Sequence, residues 1–250
     1  MENFKDNSKR NILLIIIGAL IVILIFIYCF WYFNIRGASK EVIEFIGDKN
    51  QDIVFAEDIG LNLKEEAIAL SLKYSDVTGW LRIPGTSIDE AVFHSTDNDK
   101  YLRHDRDRNY AMWGETFLDY RNNINEMHNM KNFIIYGHNT EADSGFTPLL
   151  NYQDKDFLNK HKYIEFSTSN KNYIWEIFSV YKSNTEFYYW DTNFENVDEF
   201  SNFVSQCKSN SMYSINTNVT KDDTILTLST CEYSQDEGRL VVQAKLVKNQ

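Results

Sequence analysis

The sequence predicts a mostly β domain. Eight short strands form a closed or nearly closed barrel, with helical segments in front and one more helix ahead of the seventh strand. A single N-terminal transmembrane helix tethers it. Three observations carry this reading. Ile12 to Phe33 is an apolar run of 22 residues without a charge. From Thr78 onward, short β-branched and aromatic runs alternate with turn signals. Between Asn196 and Ser211, Val197, Phe200, Phe203, Val204 and Cys207 recur at helical spacing.

The elements follow in order. Residues 1–11 form a short polar tail, and residues 12–33 suffice to cross a hydrocarbon core of about 30 Å as a helix. The run is too long for a signal-peptide core, no A-x-A site follows it, and a buried helix of a soluble domain would keep a polar face. Lys5, Lys9 and Arg10 precede the span, while Arg36 and Lys40 follow it. That bias places the N-terminus in the cytoplasm and the rest outside the cell membrane. Residues 34–77 read as a juxtamembrane helical segment, with apolar residues at roughly helical spacing in 41–46 and 61–70. Residues 78–250 form the barrel. Its strands are expected at 80–83, 91–93, 116–120, 132–136, 163–166, 173–181, 224–230 and 240–246.

Composition narrows the function classes. Residues 1–35 hold three basic and two acidic residues, so the remainder carries 22 against 34, a net charge of about −12. Such a surface does not suit nucleic acid, whose phosphates need Lys and Arg. Cys29 lies in the apolar run, which leaves Cys207 and Cys231, too few for a disulfide framework. Two free thiols are expected. Helical spacing makes Cys207 a buried helix residue.

Chemistry concentrates where strands end. The run Ile225 to Thr230 delivers Cys231, seven polar residues follow, and the last strand opens with Arg239. A cation beside a thiol favours the thiolate, which is the nucleophile. Upstream, Phe133 to Tyr136 delivers Gly137, His138 and Asn139, placing an imidazole at an apolar-to-polar junction where it can exchange a proton. Each residue alone has a plainer reading. Cys231 would be a small buried hydrophobe, His138 a loop residue bonded to backbone, and Arg239 a surface partner of Asp236 or Glu237. His94, His104, His128 and His161 fit the plain reading. The acidic clusters at 97–100 and 105–108 lack the glycine and terminal glutamate of a calcium loop and read as solvated loops. No metal or cofactor pattern is found. The aromatic group Phe187 to Trp190 reads as packing, with one member available to line a groove.

Taken together, the segments 79–89, 117–122 and 134–139, and above all Thr227-Leu-Ser-Thr-Cys231 followed by Arg239-Leu-Val-Val, resemble the sortases, class B most closely. The resemblance implies a closed eight-stranded sortase-like barrel with an extra helix before the cysteine strand. It also implies a cysteine transpeptidase. Cys231 attacks the carbonyl of a threonine in a C-terminal sorting signal, a thioester forms, and an amine of a cell-wall peptide resolves it. His138 is the general acid and base, and Arg239 the oxyanion or substrate anchor. The same resemblance places Asn98, Leu102, Thr185, Tyr189, Trp190, Ser229 and Glu232 along the signal-peptide groove. Trp190 there replaces a smaller aliphatic residue. Two rivals stand beside this reading: a membrane-tethered cysteine hydrolase, and a non-catalytic barrel that binds peptide or wall material.

Overall fold

Alternation along each strand sorts side chains into an inner and an outer set, and the inner set builds the core. In a computed structural model of the chain, the described residues are 63–126, 129–140, 142–184 and 187–247. Among them, eight strands close a barrel: β1 (Val77–Arg82), β2 (Asp89–His94), β3 (Phe117–Leu118), β4 (Asn132–Tyr136), β5 (Tyr163–Ser167), β6 (Ile174–Ser183), β7 (Ile225–Cys231) and β8 (Arg239–Leu246). The order around it is β1-β2-β3-β4-β7-β8-β6-β5. Neighbours run antiparallel except β2 with β3 and β4 with β7, which are parallel. All eight expected strands are present.

The interior is filled by Leu81, Val92, Phe133, Ile135, Phe166, Leu226, Leu228 and Val242. Two helices cover parts of the outside. In α1 (Leu63–Ser71) Ala67 is buried, and the nearby Leu70 and Tyr74 pack on Phe93, Tyr101 and Phe117. The short helices α2 (Lys100–Arg103) and α3 (Lys155–Lys160) lie within connections. The fourth, α4 (Val197–Asn210), is started by Asn196, whose side chain accepts from the Glu199 backbone N–H at 2.9 Å. Its face of Phe200, Phe203, Val204 and Cys207 packs on Phe178, Ile225 and Val241 from outside the barrel. Both Cys207 and Cys231 are free thiols, and burial pushes the Cys207 thiol up to about 12.

The expected span at 12–33 and the helical stretch at 41–46 lie outside the described residues. Among the described residues, no helix is long and apolar enough to cross a membrane. The acidic clusters serve the backbone. Asp97 accepts from the N–H groups of Asp99 and Lys100, and Asp105 from that of Asn109. His104 and His161 bond the carbonyls of Lys100 and Pro84, as expected of structural histidines. His94 departs from that pattern, because its Nε2 is buried without a partner. His128 lies outside the described residues.

Glu165 on β5 is 1% exposed, and neither carboxylate oxygen has a hydrogen-bond partner. Burial raises its pKa from 4.5 to about 7, against the opposing pull of Arg82 across the β1–β5 ladder. A carboxyl raised in the folded state stabilises the fold fully below its unfolded pKa, and that stability is lost as pH rises through the folded value. The unfolding free energy from urea titrations should therefore fall between pH 4.5 and pH 7, by roughly 3 kcal/mol for a shift of that size. Glu165→Gln should remove this slope, and an unchanged slope in the variant would assign it to another group.

Candidate active site

The parallel ladder of β4 and β7 sets the site. Its register pairs Ile134 with Thr227 and Tyr136 with Ser229. Gly137 N–H continues it to the Ser229 carbonyl at 3.2 Å. Two residues beyond the Tyr136–Ser229 pair stand His138 and Cys231. The antiparallel ladder of β7 and β8 pairs Cys231 with Arg239. Neighbouring strands lie about 4.8 Å apart, so imidazole, thiol and guanidinium sit on three adjacent strand ends with the cysteine in the middle. Leu226 and Leu228 face the core, so alternation turns Ser229 and Cys231 to the barrel's outer face. There His138, Cys231 and Arg239 line one cavity of about 420 Å³.

His138 is half-buried. Its Nε2 lies 2.8 Å from the Leu102 carbonyl. A carbonyl only accepts, so Nε2 carries the proton and Nδ1 is the nitrogen left to exchange one. Burial lowers the imidazole pKa, the Leu102 bond opposes this, and the charges of Arg103 and Arg239 add to the lowering. The Trp113 ring packs edge-on to His138 with centroids 5.9 Å apart. Asn139 ties the histidine turn to the cysteine. Its Nδ2 donates to the Cys231 carbonyl at 3.3 Å, and its Oδ1 accepts from Thr147 at 3.1 Å. Arg239 pairs with neither Asp236 nor Glu237. Its Nη1 donates to the backbone carbonyls of Glu237 and Gly238, at 3.2 and 2.9 Å.

Of the residues expected in the groove, Asn98, Leu102, Tyr189, Trp190 and Ser229 line this cavity. Thr185 lies outside the described residues. Glu232 is not among the lining residues of this cavity. One residue past Cys231 it turns to the other face, where its carboxylate takes Lys182 Nζ at 3.1 Å and Ser234 Oγ at 2.6 Å.

The cavity wall is held by residues the sequence reading assigned no role. Asp119 is buried and accepts two bonds from Arg121, at 2.8 and 2.9 Å. It also accepts from Asn98 Nδ2 and Tyr136 Oη, both at 3.0 Å. Burial pushes its carboxyl up, but these bonds more than offset that and hold it below the usual range. Arg121 reaches on to the Trp190 carbonyl at 2.8 Å. Asn132 Nδ2 takes the carbonyls of Tyr189 and Asp191, at 3.3 and 2.8 Å. Three consecutive carbonyls, 189 to 191, are thereby fixed by side chains from the β3–β4 region. Tyr189 Oη meets Ser229 Oγ at 2.8 Å and joins wall to floor. The available signal was position alone, since Asp119 and Arg121 follow directly on the apolar end of β3.

Among known families, the model of the sortase domain matches residues 81–247. The chain belongs to the sortase family. It is 37% identical to sortase B of Listeria monocytogenes over 235 residues, covering 91% of this chain and 94% of that protein. Sortase B of Staphylococcus aureus is likewise 37% identical, over 69% of this chain and 71% of that one. The solved Staphylococcus aureus sortase B–substrate complex superposes with a TM-score of 0.69 at 30% identity, covering 87% of this chain and 94% of that one. These likenesses make the chain a class B sortase, a cysteine transpeptidase that transfers acyl groups through a thioester.

In the uncomplexed sortase the Leu102 bond should fix one histidine tautomer. ¹⁵N NMR of the ring at pH 7 should show Nε2 protonated and Nδ1 bare, titrating below the usual 6.5. A protonated Nδ1 in neutral His138 would contradict the hydrogen bond to Leu102.

Proposed function

We propose that this sortase is held in the cell membrane by residues 12–33, with its barrel on the extracellular side. There it cleaves a C-terminal sorting signal after threonine and transfers the acyl group to an amine of a cell-wall peptide. The observation that carries the reading is the shared register of three strand ends, which brings His138, Cys231 and Arg239 to one cavity.

The steps follow from the chemistry of these groups. Nδ1 of His138 takes the proton of the Cys231 thiol, the resulting thiolate attacks the threonine carbonyl carbon, and the carbonyl oxygen takes up negative charge. Arg239 donates hydrogen bonds to that oxygen. Its present carbonyl partners on its own loop leave its other guanidinium nitrogens for the purpose. The C–N bond breaks as Nδ1 of His138 gives a proton to the departing nitrogen. The lowered pKa of His138 makes its imidazolium a ready donor. A thioester remains on Cys231. The acceptor amine then attacks the same carbon, loses a proton to His138 and expels the thiolate, which restores the enzyme.

The sorting peptide lies along Asn98, Leu102, Tyr189, Trp190 and Ser229, with Thr185 in the same proposal. The indole of Trp190 narrows the groove where the family usually has a smaller aliphatic side chain, so the residue seated there should be small.

Cys231→Ala should abolish peptide cleavage and leave the unfolding free energy from urea titration within about 1 kcal/mol of wild type, because the side chain is at a strand end. Mass spectrometry of the wild type with threonine-containing sorting peptides should show one acyl adduct on Cys231. Arg239→Lys keeps the charge but loses the planar fork of donors, and turnover should fall on the order of a hundredfold. Full cleavage by Cys231→Ala would overturn the proposal. An added amine that never enters the product would make the enzyme a hydrolase.

A further inference from the structure

Beside His138, on a side the cavity does not use, the loop between α2 and β3 holds three large apolar side chains out to solvent. Tyr110 is 72% exposed, Met112 57% and Trp113 43%. None of them is among the residues lining the Cys231 cavity. Single exposed apolar side chains are ordinary, but three fall within four residues of this one loop.

The loop that carries them is firmly held. His104 and Tyr110 form a β-bridge, and Ala111 N–H donates to the Arg103 carbonyl at 2.9 Å. Arg103 Nη1 reaches the Met112 carbonyl at 2.7 Å. Arg106 makes a two-pronged ion pair with Glu115, at 2.8 and 2.9 Å. Gly114 turns the chain at φ +49°, where a Cβ would lie 1.9 Å from the Tyr101 carbonyl. These apolar side chains are therefore displayed by a rigid backbone rather than by a loose one.

We propose that this patch is the acceptor dock: the aliphatic stem of a primary amine packs on Trp113 and Met112, and its nitrogen reaches His138 from there. The proposal rests on the transpeptidase reading with an amine acceptor. Its chemical ground is continuity with the site. The attacking nitrogen must lose its proton to His138, so it must come within hydrogen-bond reach of that ring. Trp113 is the exposed side chain packed directly on the imidazole. Arg103 and Arg239, whose charges already lower the histidine, also disfavour a second cation nearby. They hold the amine in its neutral, attacking form. In the step itself the amine nitrogen bonds to the thioester carbon, its proton goes to His138, and the C–S bond breaks with both electrons left on Cys231. The occupant is a lysine-type amine at the end of a methylene chain. Glycine, lacking that stem, gains nothing from the patch.

The test uses the full chain, acylated with a threonine-containing sorting peptide, with Nα-acetyl-lysinamide and glycinamide as acceptor probes. Mass spectrometry reads the ratio of amide product to hydrolysed product. For Trp113→Ala the ratio with Nα-acetyl-lysinamide should fall about tenfold, while the ratio with glycinamide stays within twofold. Met112→Ser, whose side chain makes no ring contact with the histidine, should show a smaller loss of the same selectivity. Equal losses in acylation and aminolysis would show that Trp113 only orients His138, and would overturn the dock. An unchanged ratio in both variants would overturn it as well. A wild type that forms no thioester would overturn the transpeptidase reading and this inference together.

Discussion

The parallel pairing of β4 with β7 is the constraint on which the rest of the site depends. A slip of one residue would turn every side chain of one strand to its opposite face. His138 and Cys231 would then no longer share the outer surface. The register is secured from inside, where Phe133 and Ile135 meet Leu226 and Leu228 in the core. It is secured from outside by the Thr227 hydroxyl, which bonds Asn132 Oδ1 at 2.8 Å. Gly137 completes the arrangement. A Cβ there would lie 2.4 Å from the Phe146 ring, so only glycine lets the chain pass the core and still present the next residue as histidine.

The second requirement is a wall that keeps its shape. A loop carrying aromatic side chains beside an open cavity would ordinarily sample many conformations. Here the carbonyls of residues 189 to 191 end on Asn132 and Arg121, and Arg121 is locked on buried Asp119. A buried carboxylate is costly unless its bonds are complete. Asp119 meets that condition with Arg121, Asn98 and Tyr136 together. Removing one partner therefore strains the others, which is how a polar network confers one geometry rather than mere adhesion. The cavity is in this sense preorganised before anything enters it.

Local features were legible in the sequence and long-range ones were not. All eight strands show as β-branched and aromatic runs, and α4 shows by the spacing of Phe200, Phe203, Val204 and Cys207. Cys231, His138 and Arg239 could be singled out because each follows or opens an apolar run, a signal contained within a few residues. The order of strands around the barrel, and the fact that β4 and β7 run parallel across the whole of β5, β6 and α4, has no local signature. The same holds for Asp119, whose importance comes from partners up to about 70 residues away through Arg121 and the Trp190 carbonyl. Where the Glu232 side chain lies was not legible either, because its contact with Lys182 is made across 50 residues. The patch at 110–113 escaped notice because loop aromatics carry no periodicity.

Alternation has a consequence for how such a protein can change over time. On β7, Leu226 and Leu228 serve the core while Ser229 and Cys231 serve the surface. On β8, Leu240 and Val242 do the former and Arg239 the latter. At these strand ends, foldedness and chemistry are thus written on alternate letters of the same words. Drift in one set leaves the other nearly untouched, so a lineage of such barrels can exchange one peptide preference for another without passing through unfolded ancestors.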